Sequence, residues 1–229
     1  MRLPRHSGAI RQAEKELKWL PRLGPRLPLA VPEPVAVGQP GEGYPWHWGV
    51  SRWRDGEVAT VEKFGESHET AVVLAEFLTA LQNCELPASD DRDEITRDAI
   101  AASPFDAGAM TKLWDEALEA GAWSRPPVWF HGDFHTGNLL SENGRVTAVI
   151  DFGGLGIGDP SRDLMMAFTL MSRGPRVTFR RSLDIDDATW ARGRGWALTA
   201  GLVAHAAYAR KHPHIAAATG RQIEAALEG

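Results

Sequence analysis

The chain has 229 residues, 43% of them apolar and 24% charged, with a formal charge of −5 at neutral pH. A globular chain of this length buries roughly 70% of its surface, and the composition excludes a low-complexity or disordered protein and a strongly basic nucleic-acid binder. The single cysteine, Cys84, excludes an intramolecular disulfide and a multi-cysteine metal site, and no window approaches the ~20 apolar residues of a membrane span, so a cytoplasmic location with no nucleic-acid and no membrane partner is expected.

From Ser7 to Leu23, Ile10, Ala13, Leu17 and Leu20 recur at helical spacing, with Ser7 as a cap and Pro21 expected to end or bend the helix. A proline- and glycine-rich stretch follows, within which Val35–Val37 and Gly49–Trp53 read as short strands, the second running into an Asp55-Gly56 turn. Between Glu66 and Gln82, Ala71, Leu74, Leu78 and Leu81 mark the clearest amphipathic helix. The acidic run at 89–94 reads as a solvated loop, without the ligand spacing of a calcium site. Asp106 to Ala120 gives another helix, with Met110, Leu113, Trp114 and Ala117 on its inner face.

The middle of the chain changes character. Val128-Trp129-Phe130 reads as a short buried segment leading into a polar turn, and Asn143-Gly144 divides residues 138–151 into a hairpin, since both tolerate positive φ. A helix over about 161–171, capped by Asp159 or Ser161, is expected next, then a largely helical stretch from Ile185 to Tyr208 and a short helix at 219–228. The glycines at 153–158 lack the GxGxxG order, and GxxxxGK[ST] is absent, so neither common phosphate fingerprint is present.

His131, Asp133, His135, Asn138, Asp151 and Asp159 crowd into this middle region. The open end of the hairpin brings the amide of Asn138 beside the carboxylate of Asp151, a hard-oxygen pair suited to Mg²⁺. Asp133, on the preceding turn, is placed to accept a proton from an incoming hydroxyl. Two blander readings compete: His131, Asp133, His135 and Asp151 as zinc ligands, or His131 and Asp133 as hydrogen-bonding partners of loop backbone.

The segments HGDFHTGNLL at 131–140 and IDFGGLGIGDPSRDL at 150–164 resemble the two signatures of the aminoglycoside phosphotransferase family, kinase-like small-molecule phosphotransferases. The resemblance implies an α+β, protein-kinase-like two-lobed fold. Residues 1–56 would form a partial nucleotide-side lobe with its hinge, and residues 57–229 a mostly helical catalytic lobe. It implies ATP-dependent transfer of a phosphoryl group to a hydroxyl of a small molecule, an aminoglycoside-like antibiotic or a metabolite, with ATP as donor and Mg²⁺ as cofactor. Asp133 then takes the place of the catalytic base and His131 that of the histidine ordering its loop. Asn138 and Asp151 become the metal ligands, while Asp159 and Asp163 become structural acids. Arg2 falls where a phosphate-contacting base stands in the family, with Glu14 or Glu16 as its helix partner. Because the chain enters that helix almost at once, the family's first small-lobe strands and their glycine-bearing loop are expected to be missing. A catalytically impaired kinase-like binding or scaffold protein is the alternative this leaves. The acidic run at 89–94 and Asp184, Asp186 and Asp187 offer negative charge toward a polycationic sugar, and Trp123, Trp190 and Trp196 offer flat surfaces for a ligand.

Overall fold

The computed structural model describes residues 2–5, 7–84 and 104–229. The acidic run at 89–94 and the side chain of Ser7 lie outside the described residues.

Helix α1 (Ser7–Leu23) buries Leu20 and Leu23. Pro21 sits in its last turn, where the missing N–H removes one intrahelical bond, so the helix continues to Leu23 instead of stopping. Strands β1 (Pro34–Gly38) and β2 (Trp48–Ser51) pair antiparallel, with Val37 opposite Gly49. The backbone of Arg2 pairs with Gly49 in both directions, its N–H donating to the Gly49 carbonyl at 2.8 Å and its carbonyl accepting from the Gly49 N–H at 3.2 Å. Arg2 therefore adds a position to this small sheet.

The next strand, β3 (Glu57–Val58), pairs instead with the central hairpin, Glu57 opposite Ser141. Helix α2 (Val61–Phe64) leads to α3 (His68–Gln82), which Ser67 caps by accepting from the Thr70 N–H. Ala71, Leu74, Phe77, Leu78 and Leu81 are all fully buried on α3, as the periodicity requires. Helix α4 (Ala107–Glu119) is capped by Asp106 and buries Met110, Leu113, Trp114 and Ala117.

Strand β4 (Val128–Phe130) precedes the hairpin of β5 (Leu139–Glu142) and β6 (Arg145–Val149). Asn143 and Gly144 turn it with φ of 51° and 76°. Strand β7 (Gly156–Gly158) returns to pair antiparallel with β4, Trp129 opposite Ile157. That pairing brings the segment after β6 back beside the segment after β4.

The helix expected over 161–171 is a 3₁₀ turn, Pro160–Met165, followed by the short α5 (Met166–Thr169). Its tighter winding accompanies the inward turn of Asp163, which is fully buried. Helix α6 (Arg173–Ser182) has no apolar stripe strong enough to be read from sequence; it packs on α3 through Phe179 and tolerates Pro175 in its first turn. Helix α7 (Asp187–Tyr208) is capped by Asp186, and α8 (Pro213–Glu228) starts six residues earlier than expected, with proline in its first turn. Among the described residues, no helix is long and apolar enough to cross a membrane.

Candidate active site

The site grows out of the β4–β7 pair. After Phe130 the chain enters His131 and Gly132, whose backbone N–H groups both donate to the buried Asp163 carboxylate, at 2.6 and 2.8 Å. Burial pushes Asp163 up to about 7 against those two bonds. Gly132 has φ of 80°, and a Cβ there would lie 2.1 Å from the carbonyl oxygen of Gly154. The loop before the hairpin and the loop after it thus touch backbone to backbone, a contact only glycine permits.

His131 is fully buried between Phe134 and Phe152, with ring centroids 5.5 and 4.4 Å away. Its Nδ1 accepts from the Asp133 N–H at 3.2 Å, which leaves Nε2 to donate to the Ile150 carbonyl at 3.1 Å. That pattern needs the neutral imidazole, and burial pushes its pKa down to about 4. Placed by sequence among the catalytic residues, His131 is enclosed and orders the loop by tying Asp133 to the strand that delivers Asp151. With both ring nitrogens bound to backbone, it is not free to ligate zinc.

Asp133 is exposed, while the adjacent Phe134 plunges into the core and stacks on Phe77 at 5.6 Å. The alternation fixes the loop and leaves the carboxylate outward. Asn138 donates its amide N–H to the Asp133 carbonyl at 2.8 Å and to Oδ2 at 3.2 Å. His135 Nε2 lies 3.6 Å from the same oxygen, and its Nδ1 accepts from the Gly137 N–H at 3.1 Å. Partial burial would raise the Asp133 carboxyl, yet His135, His131 and the Asn138 amide outweigh it and hold the group below its ordinary value. It is an ionised base with Oδ2 occupied and Oδ1 open.

The Ile150 N–H donates to the Asn138 carbonyl at 2.9 Å, so the residues before Asp151 are clipped to Asn138 as the hairpin register requires. With its NH₂ committed to Asp133, the Asn138 amide offers its oxygen; Asp151 offers a half-exposed carboxylate. Asp151 has φ of 60°, a left-handed conformation uncommon for a non-glycine residue, and its Oδ1 accepts from the Gly153 N–H at 3.4 Å. Two hard oxygens at one open edge fit Mg²⁺, which takes one or two protein oxygens and fills its sphere with water and phosphate. Among the described residues, no group of three or more His, Cys, Asp or Glu gathers as a metal cluster.

The Arg2 guanidinium reaches the same edge. One of its nitrogens donates to both Glu16 oxygens at 2.6 Å, and another donates to Asp151 Oδ1 at 3.0 Å. Glu16 is buried, which raises its carboxyl against the pull of Arg2, whereas Glu14 faces solvent. The spacing had left these two glutamates undecided; helix rotation selects Glu16.

On the other side of Asp133 lies a cavity of about 630 Å³, between the β3–α2 segment, the loop at 133–137 and the facing helices α7 and α8. Asp133, His135 and Thr136 form one end of it. None of the three candidate tryptophans lines it: Trp190 is buried against Phe168, Trp196 lies beneath Arg162, and Trp123 donates to the Pro126 carbonyl. Asp159, expected as a structural acid, accepts from the Ser161 N–H and pairs with Arg192 at 2.7 Å. Asp163 holds the loop before the hairpin, not the one after it. Gly132, Gly154, Phe134 and Phe152 went unnoticed in the sequence, because their role is a contact between segments far apart in the chain.

The model of the phosphotransferase enzyme family matches residues 1–196. An aminoglycoside 3'-phosphotransferase of Streptomyces fradiae is 31% identical over 211 residues, 82% of this chain and 70% of that protein. The uncharacterized protein YcbJ of Bacillus subtilis is 26% identical over 221 residues, 86% of this chain and 69% of its own length. Among solved structures, the GDP and kanamycin complex of APH(2")-IIia superposes with a TM-score of 0.74 at 18% identity, covering 100% of this chain and 86% of that one. Macrolide 2'-phosphotransferase type I gives 0.65 at 17% identity, covering 96% and 82%. At such identity the likeness speaks for the fold alone, and the fold is the two-lobed, kinase-like α+β architecture with a small sheet and a large helical lobe. The family match, which spans well over half of the residues, makes this chain a member of the phosphotransferase enzyme family.

Proposed function

We propose that the protein transfers the terminal phosphoryl group of ATP to a hydroxyl of a small molecule. The observation that carries this reading is the Asp133 carboxylate, ionised and held through Oδ2, opening on a cavity on one side and neighbouring Asn138 and Asp151 on the other. Asp133 Oδ1 takes the proton of the acceptor hydroxyl as its oxygen bonds to the terminal phosphorus and the bond to the β-phosphate oxygen breaks, releasing ADP. Asn138 and Asp151 are the residues that would hold Mg²⁺, which supplies positive charge to the phosphate oxygens. Arg2, oriented by Glu16, would contact the nucleotide phosphates, and residues 50–54 the adenine. We place the boundary between the lobes at residue 56, where the chain leaves the small sheet for the hairpin sheet.

Titration with Mg·ATP, followed by a screen of hydroxyl compounds for ADP release, tests the reading. Transfer should be abolished by D133A and by D151A, with Mg·ATP binding kept in the first and weakened in the second. Binding without transfer to any acceptor would favour a kinase-like binding protein, and transfer unaffected by D133A would dismiss the assigned base.

A further inference from the structure

We infer that the cavity beside Asp133 accepts an uncharged, amphipathic alcohol, and that Arg221 works against a polycationic aminosugar there. The inference rests on the phosphotransferase reading in one respect, that Asp133 marks the acceptor end of this cavity.

The walls carry the argument. Val61 from α2, Met165, Ala204 from α7 and Ile215 and Ala218 from α8 give the cavity a largely apolar lining. Its lip is apolar too, since Val58 and Tyr208 line the cavity and are each about half exposed. Polar side chains line it too, among them Asp133 and His135 from the loop, Glu62 from α2 and Arg221 from α8. A ligand that lays an apolar face on this wall and offers a hydroxyl to Asp133 uses both regions, and a volume near 630 Å³ suits a molecule of drug size.

A polycation meets the opposite situation. Each ammonium leaving water needs an acidic partner. Among the described lining residues the acids are Asp133, which the proposed reaction occupies, and Glu62, whose carboxyl is held below its ordinary value by its own backbone N–H, by Thr60 and, least, by the charge of Arg221. Arg221 itself, on α8, lines the cavity as a repelling cation. Of the acids that the sequence offers for such a ligand, the run at 89–94 lies outside the described residues and two others are engaged elsewhere. Asp186 caps α7 through the Thr189 N–H and faces Arg125, and Asp187 pairs with Arg180.

The test uses isothermal titration without nucleotide on the full chain. Its probes are octyl β-glucoside below its micelle concentration, an uncharged amphipathic polyol, and kanamycin, a polycation. The glucoside should bind at least ten times more tightly than kanamycin. A204W, which fills the cavity from α7, should weaken glucoside binding at least tenfold, and A218W, which fills it from α8, serves if the first variant melts early or loses its circular dichroism. R221E should strengthen kanamycin at least tenfold. Tighter binding of kanamycin than of the glucoside by the parent, no glucoside binding at all, or glucoside binding unchanged by both tryptophans would overturn the inference. Since none of these readouts needs nucleotide, a parent that takes the glucoside as expected but fails to bind Mg·ATP would sink the phosphotransferase reading and leave the cavity assignment standing.

Discussion

The two sides of the site are built on different physics. On the Asp133 side, His131 and Asp163 are fully buried and bond to backbone groups, sealed by a glycine pair that admits no side chain. On the Arg2 side, one guanidinium nitrogen pairs with the buried Glu16, and another reaches the half-exposed Asp151 across most of the length of the chain. Buried, satisfied hydrogen bonds leave one arrangement. Exposed ion pairs are worth little and can be exchanged for a ligand. For the proposed reaction this means a base fixed in advance, and beside it an internal contact that can be traded for a nucleotide.

The sharpest way to break this contrast is G132A. A methyl group would meet the Gly154 carbonyl and impose a strained φ, so a loss of at least about 3 kcal/mol in denaturant unfolding is expected, together with loss of transfer. A G132A protein of parental stability would mean that the two loops are not locked.

A second effect, nearly as large, appears in the pH dependence of stability. His131 stays neutral in the folded state down to about 4, against 6.5 unfolded, so its contribution is lost as pH falls through that window. Asp163 binds its proton at about 7 when folded, against 3.8 unfolded, so its contribution is present in acid and lost as pH rises through 7. The two slopes oppose each other between pH 6.5 and 4. Removing one should expose the other: D163N should lose up to ~3 kcal/mol relative to its own value at pH 7 as the medium is acidified to pH 4, whereas H131N should gain. Urea unfolding at stepped pH checks both signs, and equal slopes in the two variants would contradict the buried arrangement.

On the exposed side the expected effects are smaller. R2A should weaken Mg·ATP by roughly tenfold, the worth of one charge-assisted contact. E16A should weaken it similarly by releasing Arg2, and E14A should do nothing measurable in the same titration. An E14A effect equal to that of E16A would show that the helix presents a different face from the one described.

Much of this was legible before any coordinates. Helices α3 and α4 follow from apolar spacing, and their buried residues are those the period selects. The hairpin follows from Asn143-Gly144, because few residue pairs accept two positive φ angles. Asp133, Asn138 and Asp151 stand out because two motifs flank one hairpin, and a register of antiparallel pairs carries their residues together. Helix α6 is rich in arginine and carries only Val177 and Phe179 as large apolar residues, at a spacing of two that does not mark a helix, and the 3₁₀ turn at 160–165 departs from the expected α-helix because local propensity does not register the inward pull on Asp163.

The sequence by itself determined the hairpin and that it brings Asn138 and Asp151 to one edge, since short-range periodicity and turn stereochemistry act between neighbours in the chain. Only the tertiary structure decided that Glu16 and not Glu14 meets Arg2, that His131 is enclosed and neutral, that Gly132 and Gly154 touch, and that the tryptophans and the acids near 184–187 face away from the cavity. Those outcomes depend on helix rotation and on contacts between distant segments, where burial and packing choose among positions that the local sequence leaves equivalent.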